Sequence, residues 1–94
     1  MSAIIKIQYF GTLRLLYHMK EETFKLNEPV TFENLINAIN EKNGLNFLIK
    51  SPHLMFFHYE SGEEKSNQLK FPKNKNIYIK SGSIIKIFNA MTLG

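Results

Sequence analysis

Ninety-four residues suffice for one domain with a single modest core, and 44% hydrophobic content with eight Phe and four Tyr marks a folded globule rather than a disordered chain. The absence of cysteine excludes disulfide frameworks, thiolate metal sites and cysteine nucleophiles. The formal charge of +4 is unevenly spread: all eight acids are Glu at or before Glu64, whereas Lys65, Lys70, Lys73, Lys75, Lys80 and Lys86 follow with no acid among them.

A basic final third suits a nucleic-acid or acidic-protein partner, or equally lysines lying on solvated strand faces and loops. Arg14 is the only arginine and no RNA-reading or helix-turn-helix signature is present, which argues against nucleic acid. No apolar run approaches the ~20 residues of a membrane span. The opening MSAIIKIQYF lacks the long apolar stretch and small-residue cleavage site of a secretory signal. A cytoplasmic protein without a membrane partner is therefore expected.

Residues 3–10 alternate as a strand should, with Ile5, Ile7 and Tyr9 on one face and Ile4, Lys6, Gln8 and Phe10 on the other. Gly11 breaks this run, and residues 12–18 read as a short helical or irregular connector carrying Leu13, Leu16 and Tyr17. Residues 22–26, ETFKL, alternate again and predict a second strand paired with the first. In PVTFENLINAINEKNG, Thr31 is placed as an N-cap and Val30 and Leu35 as a hydrophobic staple. Leu35, Ile36 and Ile39 form an apolar stripe, and Asn43-Gly44 a stop, so this segment predicts the main helix.

Beyond a loop or helical turn at 45–52, residues 53–60 (HLMFFHYE) read as a third strand and SGEE as a turn. The Lys/Asn-rich stretch 65–76 leaves room for one short strand at 69–71. A short apolar piece at 77–79 and a Ser81-Gly82 turn then lead into 84–88, a β-branched and aromatic run suited to the interior of a sheet. The order predicts an α+β fold, a mixed sheet of four to five strands with one main helix packed on one face. If the first and last strands lie side by side at its centre, that sheet is a β-grasp. The whole chain, 1–94, reads as a single such domain, with 89–94 a flexible tail.

Catalytic constellations are scarce. His18, His53 and His58 are scattered, and His53 and His58 point to opposite faces of their strand, so ordinary surface or edge histidines are expected rather than metal ligands. Ser81 and Ser83 read as turn residues with no acid to complete a triad, and Glu63-Glu64 as a solvated pair. The five glycines are isolated, which rules out a Gly-rich phosphate loop, and only Gly94 lacks a structural assignment. No bound cofactor and no metal are expected, and a stand-alone pocket enzyme does not fit.

The opening IKIQYFGTLRLLYH, the central VTFENLINAI and the closing IKSGSIIKIFNAMTLG together resemble the MoaD/ThiS-like sulfur-carrier family, which comprises the molybdopterin synthase small subunit and the thiamine-pathway carrier. The resemblance covers most of the chain and is loosest at 45–77. It implies a C-terminal Gly94 that is adenylated and converted to a thiocarboxylate for sulfur transfer in molybdenum cofactor biosynthesis. Asn89, Ala90, Met91, Thr92 and Leu93 would form the slim tail that threads into a partner's cleft. It further implies two partners, a ubiquitin-activating-type adenylating enzyme that consumes ATP and a molybdopterin synthase large subunit-like protein. Phe10, Arg14 and Phe88 would contact them.

The chain departs from that family where Leu93 replaces the penultimate glycine, Asn89-Ala90 a proline pair, and Ser81 and Ser83 the acids flanking the turn glycine. Leu93 motivates the alternative reading, a non-catalytic β-grasp interaction module without tail chemistry.

Overall fold

The computed structural model describes residues 1–11, 13, 20–43 and 54–89. Its elements are β1 (Ser2–Tyr9), β2 (Glu21–Asn27), helix α1 (Phe32–Asn43), β3 (Leu54–Tyr59), β4 (Asn67–Leu69) and β5 (Ile84–Asn89). The five strands form one sheet in the order β2-β1-β5-β3-β4. β1 and β5 run parallel at its centre, with Lys6 opposite Ile84 and Tyr9 opposite Ile87, and the other pairings are antiparallel. This is the expected β-grasp, with the first and last strands adjacent and a single main helix. Among the described residues no helix is long and apolar enough to cross a membrane.

Strand alternation sorts the side chains into two layers. Ala3, Ile5, Ile7 and Tyr9 of β1 are buried with Ile85 and Ile87 of β5 and Phe56 of β3, beneath Phe32, Leu35, Ile36 and Ile39 of α1. Phe32 meets Phe56 edge to face at 5.1 Å, which joins the start of the helix to the sheet. Full burial of each Ile contributes roughly 1.5–3 kcal/mol, so this layer supplies the main driving force for folding. Tyr9 keeps its polar end satisfied by donating from its hydroxyl to Glu22 Oε1 at 3.1 Å. Leu13, the one described residue of the connector, is also buried. Leu16 and Tyr17 lie outside the described residues.

The helix start is closed from two directions. Thr31 is the N-cap as expected: its Oγ1 accepts from the Asn34 amide at 3.1 Å, and Asn34 Oδ1 accepts in return from the Thr31 amide at 3.2 Å. The staple residues Val30 and Leu35 are both buried in the core cluster. The next two amides are met by the lysine-rich stretch, since Phe32 N donates to Ile77 O at 2.8 Å and Glu33 N to Lys75 O at 3.0 Å. Ile79 N reaches Val30 O at 2.7 Å, and Tyr78 forms a bridge with Thr31. Residues 70–79 are thus a strap whose backbone caps α1 while Lys70, Lys73 and Lys75 stay exposed. The short strand expected at 69–71 sits earlier, at Asn67–Leu69, because Phe71 turns away into the strap and packs on the core, edge to face with Phe32.

Just beyond the strap, where the chain enters β5, two turns meet. Gly82 has φ +88°, and a Cβ there would lie 2.9 Å from both Cβ and Oγ of Ser61. Ser83, just before β5, is buried, and its Oγ lies 3.1 Å from His58 Nε2 in a hydrogen bond whose donor depends on the imidazole tautomer. This corrects the expectation of a surface or edge histidine: His58 is only 4% exposed and faces the core, opposite Ile85. Ser83 is likewise a buried cross-link to β3 as well as a turn residue. Burial pushes the His58 pKa below its usual value, with Glu60 pulling weakly the other way.

Three outcomes follow from these contacts. Gly82→Ala combines a left-handed backbone with a steric clash, and guanidinium unfolding should show a loss of about 1–3 kcal/mol. Thr31→Ala should cost about 1 kcal/mol in the same assay. His58 binds a proton more readily unfolded than folded, so its contribution is complete above about pH 6.5 and is lost as pH falls through its lowered native pKa. The unfolding midpoint of the wild type should therefore fall between pH 7.5 and 5.5 more steeply than that of His58→Gln; equal slopes would contradict the buried pair.

Candidate functional site

The face of the sheet turned away from α1 carries the residues that period-two alternation excludes from the core. Phe10 follows the end of β1, and its amide donates to Ile87 O at 3.0 Å, which extends the parallel pairing by one residue. That register places Phe10 beside Phe88, and the two rings stack with centroids 4.4 Å apart and planes 7° from parallel. Phe57 of β3 meets Phe88 edge to face at 5.5 Å. Each such pair is worth about 0.5–1.5 kcal/mol beyond its buried area, so the three rings form a preorganised cluster. All three remain partly exposed, as do Met55, Tyr59 and Ile84, while Ile4 further along β1 is 52% exposed.

Charges are interleaved with these rings. Lys86 Nζ sits 4.7 Å from the centre of the Tyr59 ring, a contact worth about 0.5–1 kcal/mol at an exposed site. Lys6 Nζ and Glu21 Oε2 approach to 3.8 Å with both side chains well exposed, which is worth at most about 1 kcal/mol. Lys25 occupies the same face, opposite Ile4 in the β1–β2 register. Among the described residues no group of three or more His, Cys, Asp or Glu side chains could hold a metal ion. The one buried Ser–His contact, Ser83 with His58, lies inside the core, away from any approaching substrate. The chemistry available to this face is recognition by apolar contact and charge.

Two of the expected partner contacts, Phe10 and Phe88, are brought together in direct stacking. Arg14 lies outside the described residues, as do Ala90, Met91, Thr92, Leu93 and Gly94. Asn89, expected to begin the tail, is instead the last residue of β5, in register with Leu54. Because β1 and β5 are parallel, the end of β5 and Phe10 lie at the same edge of the sheet, so the C-terminal segment starts beside the aromatic cluster. Phe57, Tyr59 and Lys86 are face residues that sequence reasoning missed. Alternation in LMFFHY holds the signal once His58 is known to face inward, but the sequence favoured an outward histidine.

No protein-family model matches the chain, and comparison with curated proteins gives no match. Solved structures do match. A Pyrococcus furiosus protein described as molybdopterin converting factor subunit 1 superposes with a TM-score of 0.68 at 19% identity, over 96% of this chain and 100% of its own. The Haloferax volcanii HVO 2177 protein gives 0.72 at 13% identity, over 99% of this chain and 88% of its own. The small archaeal modifier protein 1 of Methanosarcina acetivorans gives 0.64 at 13% identity, over 100% of this chain and 99% of its own. At these identities the likeness concerns the fold. The chain has the ubiquitin-like β-grasp fold, and it is similar in structure to a molybdopterin converting factor subunit and to a small archaeal modifier.

Proposed function

We infer that the protein is a sulfur carrier of the molybdopterin-synthase small-subunit type, with Gly94 as the carboxyl end that carries the sulfur. The observation supporting this most directly is the partly exposed Phe10–Phe88–Phe57 cluster at the root of the C-terminal segment, on a β-grasp similar to a molybdopterin converting factor subunit. A carrier needs a face that docks and an end that enters the partner's cleft, and a reading of this kind is supported by the parallel central strands, which bring Asn89, where β5 ends, to the same end of the sheet as Phe10 and Phe88. The partner supplies the catalysis. The Gly94 carboxylate attacks the α-phosphorus of ATP and pyrophosphate leaves. Sulfide then attacks the resulting acyl carbon, AMP departs with the bonding pair, and a thiocarboxylate remains.

Phe10 and Phe88 hold the adenylating enzyme and then the synthase large subunit, and residues 90–94 span at most about 17 Å when extended. Leu93 favours one second reading, an interaction module with the same docking face and no tail chemistry.

Incubation with the adenylating enzyme of the same genome, ATP and sulfide should yield, by intact mass, an adenylate and then a product with sulfur in place of one oxygen. Deleting Gly94 should abolish both. If neither species forms while partner binding survives the deletion, the carrier reading is rejected in favour of the module.

A further inference from the structure

An apolar sheet face admits several occupants, and here the charge on the face discriminates between them. Ile4, Ile84, Phe57 and Phe88 make this side more apolar than one that meets only water. Among the described residues its single acid is Glu21, and Lys6 already answers it. Lys25 and Lys86 have no carboxylate partner there. Lys86 is moreover held over Tyr59, so its charge is fixed among the rings instead of sweeping through solvent.

A second copy docked face to face would set one cationic surface against another as both lose water, which is unfavourable. An acidic partner would gain from the same residues.

Resting on the carrier reading, we propose that the partner of this face presents an apolar pocket for Phe57 and Phe88 rimmed by carboxylates that meet Lys86, with Lys25 adding to the positive charge at the far end of the face, so that docking is steered by charge as well as sealed by rings. Steering through paired patches acts mainly on the association rate and weakens with salt. The lysines of the strap, Lys70, Lys73 and Lys75, flank the start of α1 and not this face. They therefore contribute net charge without the local match.

The test is stopped-flow association with the adenylating enzyme of the same genome, at low and high salt. Lys86→Glu should slow association by about tenfold or more at low salt, Lys86→Gln by less, and both gaps should shrink at high salt. Lys73→Glu, an equal change in net charge off the face, should leave the rate nearly unchanged. Equal effects at Lys86 and Lys73, or none at either, overturn the proposal. So does a dimer in sedimentation that Phe57→Ser dissolves, since it assigns the face to a second copy. Thiocarboxylate formation with salt-independent association rejects the acidic rim and leaves the carrier reading standing. Charge-dependent association without adenylation keeps the rim and rejects the carrier. No association by any variant overturns both.

Discussion

The parallel pairing of β1 with β5 is the constraint on which the rest of the molecule depends. It joins the two ends of the sequence, so no part of the sheet is complete until the final strand has been delivered to the centre. Everything between must serve as the connection, which is why the helix, the β3–β4 pair and the strap all lie between two strands that touch. Parallel neighbours also bring their C-terminal ends to the same edge. Phe10 and Phe88 stack for that reason, and for that reason the chain leaves the sheet beside an aromatic cluster.

From the same pairing comes the division of labour between the two faces. One face is sealed by α1 and filled with Ile5, Ile7, Ile85 and Ile87, and two polar pairs bond within it, Tyr9 with Glu22 and His58 with Ser83. The other is covered by no helix among the described residues and carries rings and lysines. A surface of this kind offers apolar contact and positive charge. The likeness to a molybdopterin converting factor subunit and to a small archaeal modifier concerns this two-layer β-grasp architecture. The open face, rather than any buried group, is accordingly where function is best sought.

The lysine-rich stretch separates a structural role from a charge role within one segment. Its backbone carbonyls at Lys75 and Ile77 satisfy the first amides of α1, which Thr31 alone could not do. Its lysine side chains stay in water. Because carbonyls cap the helix, the residue types along the strap are left open, and lysine and asparagine suit a solvated turn as well as any. The helix start is consequently already occupied and offers no binding site for an anion.

Local pattern in the sequence by itself placed strands at 3–10, 22–26 and 84–88, each within two residues of the observed bounds, the helix with its Thr31 cap and Val30–Leu35 staple, and the turns at Gly62 and Gly82. These rest on periodicity and turn chemistry, which act over a few residues and can be read from neighbours along the chain. The resemblance singled out Phe10 and Phe88 as expected partner contacts, and their stacking on one another came from the structure. Only the tertiary structure decided that His58 turns inward to Ser83, that residues 70–79 cap the helix, that Asn89 extends the last strand, and that Phe57, Tyr59 and Lys86 complete the open face. Each of these depends on partners far away in sequence. Alternation divides a strand into two faces, but which face meets the helix is set by burial across the whole sheet, and that is not written in any one segment.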